Sequence, residues 1–379
     1  MNWNLRSPKL LNPGPVTLTR RVREAMLKAD LCHREPEFAA LQAEIRERLA
    51  AVYPQAARDF TAILLTGSGT AAVEAMVGSL VPRNGQALVV ANGVYGERMA
   101  AMLEAQGKAI HLARAEWIEP MNLTMAEQML SREPKITHVL AVHHETTTGR
   151  LNDMAALGAV CRRYRVSLLL DCISSFGGEE IDFERWNLEA CAGTANKCLH
   201  GVPGVSFVLA RESALQSRQS GATSVYLDLF RHYAEQRKDS SPFTPSVHVC
   251  YALAEALREL ADAGGWQSRH AHYAALSRQV FDGLRAQGVE PLLDLMAPSS
   301  SVLTAYRVPA GYDYASLHDA LKAAGFVIYA GQGKFNQEIF RIAVMGALDS
   351  TDVERLLSAF QEFWSSARSE QARAMAPKA

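Results

Sequence analysis

The residues with the clearest chemical potential are Lys197, within Thr194-Ala195-Asn196-Lys197-Cys198, and Asp171, which ends the apolar run Leu168-Leu169-Leu170. A lysine amine can hold an aldehyde cofactor covalently as a Schiff base. A buried carboxylate can keep a pyridine nitrogen protonated, so that the ring accepts electrons from a bound substrate. Alone, each residue has a plainer use, Lys197 as a solvated surface charge and Asp171 as a helix cap. What matters is whether other groups with compatible chemistry fall at the same edge of the fold.

The elements that must position them follow from hydrophobic patterning. Short apolar runs at 60–65, 87–91, 138–143, 166–170, 190–194 and 205–209 read as strands. Between them, 70–80 carries Val73, Met76, Val77 and Leu80 at helical spacing, and 153–165 reads as a second amphipathic helix. Alternating strands and helices predict an α/β domain with a mainly parallel sheet. After Tyr251 the pattern changes to a helix reaching about Ala263 and another over 272–287. Strands at 301–308 and 339–343 and a helix over 314–324 then predict a smaller α+β domain. The chain thus divides into an arm (1–15), a large domain (16–255), a small C-terminal domain (256–365) and a fraying tail (366–379).

Ligands of parallel sheets bind beyond the carboxyl ends of the strands. After the first run comes Thr66-Gly67-Ser68-Gly69-Thr70, leading into a helix whose free N–H groups suit a phosphate; an ordinary cap with turn glycines is the alternative. The second run is followed by Asn92-Gly93-Val94-Tyr95-Gly96-Glu97-Arg98, where Tyr95 either stacks on a planar ring or fills the core. The third delivers His143-His144-Glu145-Thr146-Thr147-Thr148-Gly149. Adjacent strand residues face opposite ways, which spaces His143, His144 and Glu145 poorly for a shared metal, so no metal site is expected. Hydroxyl contacts to a cofactor are the better use of Thr146 and Thr148. Asp171 ends the fourth run, with Ser174 close behind, and the fifth supplies Asn196 and Lys197.

Bulk properties fit a small-molecule enzyme. The 379 residues are 48% hydrophobic, and 39 basic against 40 acidic side chains leave a formal charge of −1, with no basic footprint for nucleic acid or an anionic membrane. No run approaches ~18 apolar residues and the start lacks signal-peptide character, so a cytoplasmic location is expected. The six cysteines form no C-x-x-C pair and read as reduced, mostly buried thiols.

On these motifs the chain resembles the class-V pyridoxal phosphate enzymes of the aspartate-aminotransferase fold, known as fold type I, from about Leu11 to Gly346. Further carriers of the resemblance are Leu11-Asn12-Pro13-Gly14-Pro15, Gly78-Ser79-Leu80-Val81-Pro82-Arg83, Ser174-Ser175-Phe176-Gly177, Gly201-Val202-Pro203-Gly204 and Phe340-Arg341-Ile342. The resemblance implies pyridoxal 5'-phosphate as cofactor. Lys197 would anchor it and later shuttle the proton, and Asp171 would pair with the ring nitrogen. Ser68, Gly69, Thr70 and Asn196 would bind the phosphate, with Thr244 reaching it from the neighbouring subunit of a homodimer. Tyr95 would stack on the ring, Thr146 would touch its hydroxyl, and Ser174 would complete the cofactor contacts. Arg341 would grip the substrate's acidic group, beside Gly14 and Pro15.

Within the class the motifs are most similar to those of aminotransferases that exchange an amino group between an aminophosphonate and a 2-oxo acid in ping-pong fashion. One segment departs from that subgroup. Cys32-His33-Arg34-Glu35-Pro36-Glu37-Phe38 is closer to alanine- or serine-glyoxylate relatives, and Arg34 serves there either as a second charge for the substrate acid or, with His33, as a helix cap. His200 is a further candidate neighbour of the site. Cysteine desulfuration needs a mobile thiol, and only Cys198 and Cys250 follow Lys197. A non-enzymatic cofactor-binding module would not need Arg341.

Overall fold

The order of the strands decides which residues can meet. The structure, a computed structural model, describes residues 8–293 and 298–375. A seven-stranded sheet contains β1 (Phe60–Gly67), β2 (Gln86–Ala91), β3 (Ala109–Arg114), β4 (Ile136–Val142), β5 (Ser167–Asp171), β6 (Leu188–Thr194) and β7 (Gly204–Arg211). Their order in space is β1-β7-β6-β5-β4-β2-β3. Only β7 runs antiparallel to its neighbours, β1 and β6; the other pairs are parallel.

Both faces of this sheet are covered, which is why its strands read as unbroken apolar runs. In β5, Leu168 and Leu170 enter one core and Leu169 the opposite one; in β2, Leu88 and Val90 oppose Val89 in the same way. The sequence reading missed β3. It is an edge strand, half-exposed along most of its length, and His111 and Arg114 interrupt its apolar pattern.

The helices carry their own signals. α1 (Gly69–Leu80) is buried nearly all round because the segment after Tyr226 closes over it: Ser79 donates to Leu227 O (3.2 Å) and accepts from Leu229 N–H (2.9 Å). α2 (Val94–Ala105) starts behind Gly93, and α3 (Met154–Tyr164) behind Asp153, whose carboxylate accepts from Ala156 N–H at 2.9 Å. α4 (Val247–Asp262) packs on the helices Arg20–Ala25 and Pro36–Ala51. α5 (Gly265–Ala286) starts before the expected His272, because its polar first turn hides the helical period.

A second, antiparallel sheet is ordered β8 (Leu303–Arg307), β10 (Ile339–Ala343), β9 (Tyr329–Ala330), and it packs with α5 and the helices Tyr314–Ala323 and Ser350–Met375 around Tyr306, Phe340 and Phe360. The N-terminal arm joins this part: Lys9–Leu10 pairs with Phe326–Val327, and Thr17 bridges Gly346. Among the described residues no helix is long and apolar enough to cross a membrane.

Glu179 ties the two parts together. Its buried carboxylate accepts from Ser300 Oγ (2.6 Å), Ser301 N–H (2.7 Å) and Ser301 Oγ (2.9 Å) just ahead of β8, and faces His270 Nδ1 of α5 at 3.2 Å. Burial pushes this carboxyl up, but hydrogen bonds from His270 and Ser300 and the charges of His144 and His143 bring it down to about 2. A depressed carboxylate stabilises the fold above its unfolded value of 4.5, and that contribution disappears as pH falls through the folded value. Glu179→Gln is therefore expected to cost about 2 kcal/mol or more near neutrality. Thermal melts from pH 7 down to pH 2 should show the wild-type advantage shrinking below about pH 4.5; an advantage constant across that window would contradict this role.

Candidate active site

The parallel strands end at one edge, and the loops that follow them enclose a cavity. Its walls include Thr70 from α1, Tyr95 from α2, His144 and Thr146 beyond β4, Asp171 and Ser174 at the end of β5, and Lys197 beyond β6. Six residues singled out from sequence thus meet there: Thr70, Tyr95, Thr146, Asp171, Ser174 and Lys197. Ser68 is the N-cap of α1, yet its hydroxyl makes no capping bond, and Gly69 packs so closely on Ile173 that a Cβ would lie 2.6 Å from that side chain. Asn196 Oδ1 accepts from Thr194 Oγ1 (2.8 Å), which orients the amide beside Lys197.

Desolvation dominates the electrostatics. Burial lowers the Lys197 amine to about 8, aided by the Arg341 charge and opposed by Cys198 and Asp171. Burial raises the Asp171 carboxyl to about 6, against Ile173 N–H, which donates to Oδ1 at 2.9 Å, and the charges of Lys197 and Arg98. Gly14 holds the arm against the lysine: at φ +101°, a Cβ there would sit 2.6 Å from Lys197 Cδ.

Behind Thr146, Arg341 is 1% exposed. Its Nε donates to Ala330 O (2.9 Å) and its Nη1 to Thr146 O (3.1 Å), so the guanidinium bridges the three-stranded sheet and the loop after β4. Burial lowers the pKa of Arg341; Tyr95, Tyr314, Glu145 and Tyr329 oppose that shift.

Sequence reasoning weighed His144 only as a metal ligand. Its Nδ1–H donates to Ser174 O (3.3 Å), while Nε2, buried on the cavity wall, has no partner among the described residues. Burial pushes this imidazole down to about 4, so it is neutral and Nε2 is a free acceptor. The legible signal was parity: His144 shares a face with Val142, another wall residue, whereas His143 points away to Ser175 Oγ at 3.0 Å. Arg98 was also missed; its guanidinium stacks 4.8 Å from the Tyr95 ring centre.

Two expectations need correction, those for Thr148 and His200. Thr148 does not face the cavity; its buried Oγ1 has no partner among the described residues, and it borders a separate crevice beside His270 and Thr304. On the cavity wall, the Ser174 hydroxyl donates to His144 O at 3.0 Å and so braces the loop that carries both residues. His200 is enclosed away from the cavity, its Nε2 accepting from Tyr273 OH (2.5 Å) and Gly346 N–H (2.9 Å). Thr244 and Arg34 are exposed and lie outside the cavity of their own chain, and His33 has a buried Nε2 with no partner among the described residues. Burial drives the thiols of Cys198 and Cys250 up to about 12, which leaves neither as a thiolate nucleophile.

A lysine and a carboxylate desolvated together at the strand ends of this fold define a class of enzymes, and a family model described as aminotransferase class-V matches residues 23–356. The chain belongs to that family, and the membership implies pyridoxal phosphate. Among curated relatives, the 2-aminoethylphosphonate–pyruvate transaminase of Klebsiella pneumoniae is 37% identical over 362 residues, covering 94% of this chain and 98% of the relative. That of Bacillus mycoides is 36% identical over 351 residues, covering 92% and 95%. Among solved structures, an aspartate aminotransferase of subgroup IV from Thermus thermophilus superposes with TM-score 0.85 at 26% identity, covering 95% of this chain and 99% of that one. An alanine–glyoxylate aminotransferase from Nostoc shares the fold at TM-score 0.88 and 24% identity, covering 96% and 97%.

With an amine at about 8 against an ordinary 10.5, Lys197 of the cofactor-free protein should be free base at pH 8 about a hundredfold more often than a surface lysine. Competitive acylation read by peptide mass spectrometry checks this. Labelling of Lys197 with a midpoint near that of exposed lysines would show that its environment is not desolvated.

Proposed function

We propose that this chain is a pyridoxal phosphate-dependent transaminase that interconverts 2-aminoethylphosphonate and pyruvate with phosphonoacetaldehyde and L-alanine in a ping-pong sequence. The observation that carries this reading is Arg341, a buried cation seated on two main-chain carbonyls beside the Lys197 cavity, in a chain whose curated relatives of that name align over nine-tenths of its length. A planar guanidinium fits phosphonate and carboxylate alike, so one residue can serve both half-reactions.

The residues fit the cofactor. Among the described residues His144 Nε2 is an acceptor without a partner on the cavity wall, the Ser68 hydroxyl makes no capping bond at a helix N-terminus that suits phosphate, and Asp171 is a carboxylate that a neighbouring cation would relieve. When bound, pyridoxal phosphate supplies an electron sink conjugated to the reacting carbon. Lys197 would anchor it and would hold at Nζ the proton that the reacting carbon exchanges. Asp171 would pair with its protonated ring nitrogen. Ser68, Gly69, Thr70 and Asn196 would hold its phosphate, and Tyr95, Thr146 and Ser174 would contact its ring. Gly14 and Pro15 border the substrate.

The working assembly in this reading is a homodimer in which Thr244 reaches the neighbour's phosphate. Its support is that Thr244 is exposed and lies outside the cavity of its own chain. Exchange of alanine or serine with glyoxylate is the second reading, favoured by the Cys32–Phe38 segment and its exposed Arg34.

Half-reactions with 2-aminoethylphosphonate, L-alanine and L-serine, followed by loss of the bound cofactor's visible band, separate the two. The phosphonate should convert the enzyme to its amine form; failure with the phosphonate alongside conversion by serine would favour the second reading. Arg341→Lys is expected to raise the KM for both acidic substrates about a hundredfold, with a smaller change in kcat, because the bidentate fork is lost.

A further inference from the structure

Glu145 takes no part in the chemistry above, yet it is fully buried beside the cavity, between the groups that must be held most accurately. Its Oε1 accepts from Thr147 N–H (3.1 Å) and Thr147 Oγ1 (2.6 Å), and its Oε2 accepts from Tyr95 N–H (3.3 Å). The last bond has a structural meaning. α2 begins at Val94, and its N-cap is Gly93, which has no side chain to offer its first N–H groups. The Glu145 carboxylate supplies that cap from another loop, at the positive end of the helix.

The space was made for it. A Cβ on Gly93 would lie 2.2 Å from Glu145 Cδ and 2.3 Å from Oε2, so only glycine at this position lets the carboxylate approach. The other oxygen folds the turn Glu145-Thr146-Thr147, and the carbonyl at the middle of that turn, Thr146 O, is one of the two seats of the Arg341 guanidinium. Glu145 and Arg341 also attract one another across the turn.

We infer that Glu145 is a positioning residue that holds the Tyr95 ring and the Arg341 seat in register through one carboxylate, and so couples the binding of the cofactor to recognition of the substrate acid group. The inference rests on the transaminase reading for its substrate arm only. Neither atom set depends on the other: losing Oε2 frees the start of α2, and losing Oε1 relaxes the Thr146 turn. A glutamine cannot replace both, because its amide NH2 would face an N–H or O–H donor on one side.

The test uses the holoenzyme of Glu145→Gln and Glu145→Asp below their melting temperatures. If Glu145 positions these groups, Glu145→Gln weakens pyridoxal phosphate binding in equilibrium dialysis, reduces the visible circular dichroism of the bound cofactor, and raises the KM of the acidic substrates about tenfold while kcat falls less. Glu145→Asp, which keeps a carboxylate, recovers part of each. A purely structural role lowers the melting temperature alone; a folded Glu145→Gln with wild-type dichroism, dissociation constant and KM overturns the inference. Should Glu145→Gln fail to fold, Gly93→Ala, which presses on the same carboxylate, is read in the same way. A wild-type enzyme inert toward 2-aminoethylphosphonate would sink the substrate assignment and leave the dialysis and dichroism comparisons to decide Glu145 on their own.

Discussion

A lysine amine kept from water is the constraint on which the rest of this structure depends. An ammonium group in bulk solvent is no nucleophile, and holding it near neutrality requires a low-dielectric site that still admits a ligand. The seven-stranded sheet supplies such a site because helices cover both of its faces and leave the carboxyl edge as the opening. Lys197 follows β6 and Asp171 ends β5, adjacent strands that run parallel, so the two groups are neighbours as a matter of topology. Gly14 then lays the N-terminal arm across the lysine stem, with a backbone conformation that a side chain there would strain.

The second constraint is that a buried charge be fixed by the groups around it. Arg341 lies in the central strand of the small sheet, flanked by β8 and β9, and its guanidinium is almost wholly buried. Such a charge is tolerated when its donors meet acceptors, and here the acceptors are carbonyls from both parts of the molecule, Ala330 O and Thr146 O. The arginine therefore ties the second sheet to the loop after β4. Glu179, reaching Ser300 and Ser301 ahead of β8, fixes the same junction from its far side. Any shift of one sheet against the other moves the guanidinium relative to Lys197.

Much of this was legible in the residues, for identifiable reasons. Strands buried on both faces are apolar without interruption, so β1, β2 and β4 through β7 stand out, whereas the edge strand β3 carries His111 and Arg114 and leaves no such trace. Residues placed directly at strand ends, Asp171 and Lys197 among them, converge because parallel strands deliver their ends to one side. Thr148 does not, since a two-residue ladder between His144–Glu145 and Arg150–Leu151 turns the chain back and sends its hydroxyl behind the wall. His144 was hidden for the opposite reason: its role follows from a main-chain partner, Ser174 O, that no spacing reveals. Glu145 looks like one more polar residue in the sequence, and only the missing side chain of Gly93 shows what it is for.

The ionisable groups around the cavity share one direction of shift, and that has an energetic consequence. Burial carries Lys197 down to about 8, Asp171 up to about 6, Glu145 up to about 7 and His144 down to about 4, each toward its neutral form. For Asp171, moved from 3.8 to about 6, keeping the anion costs about 3 kcal/mol. Such a site is strained in its charges rather than in its backbone, and it is relieved by a ligand that brings the complementary charges with it. A protonated ring nitrogen beside Asp171 and an acidic group beside Arg341 would both do so. The cost of burying these groups thereby becomes selectivity for the molecules that neutralise them, which links the stability of the fold to the chemistry it performs.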